Sequence, residues 1–261
     1  SPPEPFDPPS CYLDLPPYRV AYTDHGEGPA VVAIHGLPGS GRDWRYLAEA
    51  FKQRGRLIRV DLPGFGSSPA VTPNLSVKGQ ARLVERLIEH LRLPAPVVVG
   101  HSAGGAVALT VAESMGPRLS GLGLVASVGV RPHRTAPGPL VHALVYASRF
   151  RRTRRLFNNV IRYLYKTLGF SRHLSDQERL QALRQASAIN FAQLSATAAR
   201  LRVPTLVAWA SDDPFIEPEV SEALARACPD GPRLFFDVGG HNLQKTQCLA
   251  LSDALAGMLK R

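Results

Sequence analysis

The residues best placed to do chemistry are Gly100-His101-Ser102-Ala103-Gly104. A β-branched apolar run, Val97-Val98-Val99, leads into this Gly-x-Ser-x-Gly, and an Ala-rich helical pattern leaves it. Strand, tight turn and helix in that order put a serine at the apex of a nucleophile elbow. The turn forces Ser102 into a strained backbone conformation, and glycines two places either side remove Cβ atoms that would collide there. The helix starting just after it aims backbone N–H groups at the point where negative charge develops.

A serine hydroxyl needs a base, and the base needs a group that fixes its tautomer. His241, within Gly239-Gly240-His241-Asn242, follows the last strand-like segment, and Asp213 follows the one before it. Of the other seven histidines, His101 is held beside the elbow and His35 braces its own loop. His25, His90, His133, His142 and His173 lie on turns or helices and read as surface or packing residues. Asp61 reads as a residue that pins its own loop through backbone hydrogen bonds. An acyl oxyanion also needs donors, which the amides of Ala103 and of Leu37, in His35-Gly36-Leu37-Pro38, can supply. Each such donor is worth about a hundred- to a thousandfold in rate.

The elements that must position these groups alternate. Strand patterns over 18–23, 30–34, 57–60, 96–99, 119–126, 204–210 and 233–238 are separated by helical spacing over 43–53, 75–91, a stretch beginning just after Ser102, 218–228 and 246–259. That rhythm implies a mostly parallel sheet covered on both faces, with ligands bound outside the strands' C-terminal ends. Residues 129–200 break the rhythm with helical patterns alone and read as a lid inserted over those ends. The division expected is therefore a core in two parts, 1–128 and 201–261, around a helical cap at 129–200. The Pro-rich residues 1–10 read as an extended or frayed tail.

The sequence resembles an α/β-hydrolase-fold protein of the cap-bearing group. The resemblance rests on His35-Gly36-Leu37-Pro38-Gly39, Asp61-Leu62-Pro63-Gly64-Phe65-Gly66-Ser67-Ser68, Gly100-His101-Ser102-Ala103-Gly104-Gly105, Asp212-Asp213 and Gly240-His241. It covers nearly everything outside the lid. It implies Ser102 as nucleophile, Asp213 as acid, His241 as base, and Leu37 and Ala103 as oxyanion donors, in the chain order Ser, acid, His. The family usually has Gly three places before the acid. Ala210 stands there instead, and its register selects Asp213 over Asp212. Serine at 102 argues against the epoxide and carbon–halogen chemistry of relatives with an Asp nucleophile. The activity implied is hydrolysis of a carboxylic ester through an acyl-enzyme, with carbon–carbon bond hydrolase, lactonase and non-hydrolytic lyase or receptor as alternatives.

Composition bounds the rest. With 261 residues, 44% of them hydrophobic and 20% charged, the chain suits one globular α/β domain with an insertion. No apolar run of about 18 residues predicts a membrane-spanning helix. The opening Ser1-Pro2-Pro3-Glu4-Pro5, without methionine, suits a chain trimmed at its start. Cys11, Cys228 and Cys248 have no metal-ligand spacing and read as inert thiols in a cytoplasmic protein. Neither metal nor cofactor is expected. Gly36 to Asp43 nearly matches a phosphate-cradling loop, but Arg42 and Asp43 stand where Lys and Ser or Thr are needed. The net charge of +10 is concentrated: between residues 131 and 200, thirteen Lys and Arg face only Asp176 and Glu178. Arg149, Arg151, Arg152, Arg154 and Arg155 precede Leu156, Phe157, Val160, Ile161, Leu164 and Leu168 at helical spacing. The plain reading is a cap helix with its apolar stripe facing the pocket and its arginines in water. The sharper one makes the apolar stripe the roof of the pocket and the basic block a site for an anionic substrate group, an acidic partner or a lipid surface. The partner expected is a small, mostly apolar molecule and not nucleic acid, with peripheral membrane contact as the further option.

Overall fold

A computed structural model of the chain describes residues 7–71, 76–148, 154–167 and 174–259. In chain order the elements are β1 (Cys11–Leu15), β2 (Tyr18–His25), β3 (Ala30–Ile34), α1 (Arg45–Phe51), β4 (Arg56–Val60), α2 (Val77–His90), β5 (Val97–His101), α3 (Gly104–Met115) and β6 (Gly121–Val125). Four helices follow: α4 (Pro139–Ala147), α5 (Arg154–Thr167), α6 (Asp176–Ser187) and α7 (Phe191–Arg200). The chain ends with β7 (Thr205–Ala210), α8 (Pro218–Ala227), β8 (Arg233–Phe236), α9 (Leu243–Thr246) and α10 (Cys248–Met258).

The strands form one sheet in the order β1-β2-β4-β3-β5-β6-β7-β8. β1, β2 and β4 pair antiparallel in turn, and every pairing from β4 through β8 is parallel. Strand β1 was not anticipated, because it is a short edge strand in which only Leu13 and Leu15 are buried. The parallel strands β3, β5 and β6 are buried along their whole length, as continuous apolar runs require.

Alternation along β3 divides the core into two layers. Val32 and Ile34 face the side closed by Leu83, Val84 and Leu87 of α2 and by Leu109 of α3. Val31 and Ala33 face the other side, closed by Trp44, Leu47 and Phe51 with Leu251 and Leu255 of α10. Helices on both faces leave the C-terminal strand edge free for loops.

Among the described residues of the tail, Asp7 is tied down rather than frayed: its carboxylate reaches Arg42 Nε at 2.8 Å and Arg59 Nη2 at 3.2 Å. The second pair matters for Arg59, a fully buried guanidinium on β4 that also donates to Thr23 Oγ1 at 2.7 Å. All three cysteines are free; Cys228 and Cys248 are buried, whereas Cys11 is exposed.

Between β6 and β7, α7 packs on α3 and α8, where Leu194 and Ala198 join the main core. Helices α4, α5 and α6 pack mainly on one another, around Ile161 and Tyr165. Gln181 of α6 anchors this group to the body of the protein by donating from Nε2 to the carbonyl of Pro63. Gly64 permits that approach, since its φ is +85° and a Cβ there would overlap the Gln181 amide. Arg149, Arg151, Arg152 and Leu168 lie outside the described residues, as do the side chains of Arg154, Arg155, Leu156, Phe157 and Leu164.

Candidate active site

β5 delivers Ser102 to the sheet's C-terminal edge with φ +52°, a conformation rare for any residue with a Cβ. The flanking glycines make the turn feasible. A Cβ on Gly100 would overlap the backbone of Gly104, and one on Gly104 would overlap the carbonyl oxygens of Ile34 and His35. Helix α3 begins at Gly104, one residue beyond Ala103.

The loops after β7 and β8 bring together Asp213 and His241, the residues expected to be acid and base. Asp213 Oδ2 lies 2.8 Å from His241 Nδ1, while Asp213 Oδ1 accepts the amides of Phe215 at 2.8 Å and Ile216 at 3.1 Å. Burial alone would raise the Asp213 pKa. The hydrogen bond and charge of His241, with those two amides, outweigh it and hold the carboxyl below its ordinary range. The carboxylate accepts, so Nδ1 of His241 carries the proton and Nε2 is left as the basic nitrogen. Asp212, expected to be a solvated turn residue, does more: its exposed Oδ1 accepts the amides of Gly239 at 2.9 Å and Gly240 at 2.7 Å. The two neighbouring aspartates therefore hold the same loop, one by its histidine ring and one by its backbone.

His241 is held from two further sides. Phe215 meets its ring edge to face at a centroid separation of 5.0 Å, and the His101 ring lies 4.8 Å away. His101 Nε2 is 2.9 Å from the carbonyl oxygen of His241, so Nε2 is the donor. Burial, then the neighbouring His241 charge, pushes the His101 pKa down to about 3. His101 is thus more than a packing residue; it fixes the backbone of the residue expected to be the base.

The loop of Leu37, expected to supply an oxyanion donor, is braced by His35 as the sequence suggests. His35, fully buried, donates from Nδ1 to the Gly36 carbonyl at 2.7 Å and accepts the Leu62 amide on Nε2 at 3.0 Å. Asp61 accepts the amides of Gly41 at 2.6 Å and Ser67 at 2.8 Å, tying two loops together. Leu37 and Ala103 both border the cavity that holds Ser102.

That cavity has a volume of about 380 Å³ and also takes in His101 and His241. Ser102 and His241 make no hydrogen bond to each other, a contact that commonly tightens only when substrate is present. The cavity's apolar wall is Val128, Phe215 and Ile216 from the core loops, with Ala182, Leu183 and Ala186 of α6, then Ile189 and Phe191. Here the sequence reading is corrected at Ile161 alone, since Leu168 and the side chains of Leu156, Phe157 and Leu164 lie outside the described residues. Ile161 of the α5 stripe is buried in the cluster with Leu144 and Leu183, and among the described residues of α5 only Tyr165 reaches the cavity. Among the described residues, α6 supplies more of this wall than α5 does.

His133, taken above as a surface or packing residue, is a second correction: it lines the cavity. Its Nδ1 is 3.0 Å from Thr135 Oγ1, whose hydroxyl donates to the Phe215 carbonyl at 3.2 Å. Burial lowers its pKa, although the Phe215 carbonyl and Glu217 oppose the shift. Its position in the loop that leaves β6 was the signal to follow. Asp43 also borders the cavity, with a pKa raised chiefly by burial against the lowering effects of His35 and the Ser40 amide. No Lys or Arg lines the cavity among the described residues. No group of three His, Cys, Asp or Glu among them could hold a metal ion.

Comparison with known proteins agrees with this architecture. The chain is 24% identical over 258 residues to the uncharacterized hydrolase YugF of Bacillus subtilis, covering 92% of this chain and 94% of that protein. It is 29% identical over 251 residues to a 2-hydroxy-6-oxo-6-phenylhexa-2,4-dienoate hydrolase of Comamonas testosteroni, covering 87% and 86%. A shorter match, 37% identical over 102 residues, joins it to the magnesium-chelatase 30 kDa subunit of Rhodobacter capsulatus and spans 36% of that protein. Among solved structures, a thermophilic esterase from Thermogutta terrifontis superposes with a TM-score of 0.72 at 24% identity, covering 96% of this chain and 97% of that one. A family model described as "Alpha/beta hydrolase family" matches residues 31–254. With its sheet order, its elbow and that match, the chain belongs to the alpha/beta hydrolase family.

Proposed function

We propose that this hydrolase cleaves an uncharged, largely apolar carboxylic ester through an acyl-enzyme on Ser102. The observation that carries the reading is one cavity holding Ser102 at φ +52° and His241, whose Nδ1 lies 2.8 Å from Asp213. His241 Nε2 takes the Ser102 proton as Oγ attacks the acyl carbon. The amides of Leu37 and Ala103 receive the oxyanion. Collapse expels the alcohol, which leaves with the proton from His241. Water then attacks the acyl-enzyme, giving its proton to His241, and the carboxylic acid departs as Ser102 regains its hydrogen. Asp213 holds the tautomer and stabilises the imidazolium without itself taking a proton. In this reading residues 129–200 form the lid, with α6 as the cavity's roof.

The Comamonas relative supports a second reading, carbon–carbon bond hydrolysis, and its printed name describes a carboxylate-bearing substrate. The absence of Lys and Arg from the described lining favours the neutral ester. A panel of p-nitrophenyl esters graded by acyl length, run beside a lactone and a vinylogous diketone carboxylate, tests the choice. Turnover of the esters that is lost in Ser102→Ala is expected. Faster turnover of the diketone than of every ester would overturn the ester reading.

A further inference from the structure

The cavity wall is mostly apolar, and several of its polar side chains are already engaged. Tyr165 donates its hydroxyl to the Arg179 carbonyl at 3.2 Å. Asp43 accepts the Ser40 amide at 3.2 Å, and His101 donates to the His241 carbonyl. Ser102 and His241 are the expected nucleophile and base. His133 differs, because only one of its ring nitrogens is accounted for.

The Thr135 hydroxyl gives its proton to the Phe215 carbonyl, so toward His133 its oxygen acts as an acceptor. Nδ1 of His133 therefore carries the ring proton, and Nε2 holds a lone pair. Burial favours this neutral ring over the charged one. Nε2 has no hydrogen-bond partner among the described residues, yet it is not sealed from solvent as the unpartnered Nδ1 of His101 is. Phe191 meets the ring edge to face at 6.0 Å. The loop that carries His133 is tied to the loop after β7, since the Arg134 amide donates to Glu217 Oε2 at 2.9 Å. Apolar small-molecule pockets recognise polar groups through a few such fixed partners.

We propose that His133 determines specificity, its Nε2 accepting a hydrogen bond from a hydroxyl group on an uncharged ester. The proposal rests on the ester reading and narrows the substrate class to esters hydroxylated on the acyl or the alcohol chain. A carboxylate or a bare hydrocarbon at this point has no proton to offer and leaves Nε2 unpaired once water is displaced. A site built to bond a substrate hydroxyl discriminates against the analogue without it for the same reason.

Two measurements test it. The first is nitrogen-15 NMR of histidine-labelled Ser102→Ala protein, which needs no turnover; the His133 signals are assigned by their loss in His133→Gln. In the free protein Nδ1 should be protonated and Nε2 not. Methyl 3-hydroxyhexanoate, methyl 6-hydroxyhexanoate or glyceryl monohexanoate should then shift the Nε2 signal, and the methoxy counterpart of the ester that does so should not. The second is the ratio of kcat/KM for that hydroxylated ester to kcat/KM for its methoxy counterpart, in which any loss of active protein cancels. The ratio should fall about tenfold in His133→Phe, and His133→Gln, which keeps an acceptor, should restore part of it. A protonated Nε2 in the free protein, equal shifts from both members of every pair, or a ratio unchanged in His133→Phe would each overturn the proposal. Failure of every ester to turn over would overturn the ester reading instead, and the NMR pairs would still decide the role of His133.

Discussion

Asp213 Oδ2 stands 2.8 Å from His241 Nδ1, while the adjacent Asp212 holds the two amides just before His241. Two neighbouring carboxylates thus do different work, and substitution separates them. Asp213→Asn should lower kcat about ten-thousandfold by losing the working tautomer of His241. Asp212→Asn keeps an acceptor oxygen and should cost under about tenfold, whereas Asp212→Ala frees the loop and should cost more. Measured kcat in the reverse order would exchange the two roles.

Covalent catalysis at Ser102 is checked directly. A fluorophosphonate should label Ser102 and no other serine, and Ser102→Ala should abolish label and ester turnover together, with a loss in kcat of up to about a millionfold. Mass spectrometry of the labelled peptide decides the site. Labelling elsewhere, with Ser102 unmodified in folded protein, contradicts the assignment.

His101 connects the site to stability. Its pKa falls from the ordinary 6.5 to about 3 on folding, because burial and His241 disfavour the charged ring. Below pH 6.5 the unfolded chain takes up a proton that the folded chain refuses until about pH 3. Stability must therefore decline as pH drops through that window, by at most about 1.4 kcal/mol per pH unit from this group. His101→Gln keeps a donor for the His241 carbonyl but cannot titrate. Its melting temperature should fall less steeply than the parent's between pH 6.5 and 4. Parallel curves for the two proteins would contradict a neutral buried His101.

Asp61 separates structural from chemical roles. Removing its carboxylate leaves the buried amide of Gly41 and the part-buried amide of Ser67 without their acceptor. Asp61→Ala should destabilise the fold by about 2–5 kcal/mol, read from denaturant unfolding. The fraction that remains folded should still take the fluorophosphonate label on Ser102. A stable variant with no labelling would move Asp61 into the chemistry.

Much of this arrangement was legible because it depends on local sequence. The elbow follows from Gly100, Ser102 and Gly104, and a strand end can be read for Asp213 and His241. The bracing by His35 and Asp61 follows from loop composition. What escaped was tertiary. The edge strand Cys11–Leu15 buries only two side chains and has little pattern to show. His133 reaches the cavity only because the loop after β6 turns back toward Phe215. The strong helical stripe of α5 pointed to a roof, but Ile161 spends its apolar surface on α4 and α6. Small residues of α6, Ala182 and Ala186, leave the room for substrate, and alanines in a helix carry no signal of a pocket.

Those alanines lead to the last prediction, which concerns substrate size. Ala182 and Ala186 are one turn apart on α6, and both border the cavity of about 380 Å³. Ala186 is only half-buried, so a larger side chain there can extend into the cavity instead of into the core. Ala186→Trp should therefore shorten the space for the acyl or alcohol chain and leave Ser102, His241 and the Leu37 loop untouched. Each methylene denied a hydrophobic pocket costs about 1–3 kcal/mol in discrimination. kcat/KM for p-nitrophenyl octanoate should then fall about a hundredfold or more relative to the acetate, whose own value should stay within about threefold. The comparison needs only the ratio of the two esters, so a general loss of active protein cancels. An unchanged chain-length profile would mean that α6 does not face bound substrate, and the wall that does would have to be sought elsewhere among residues 129–200.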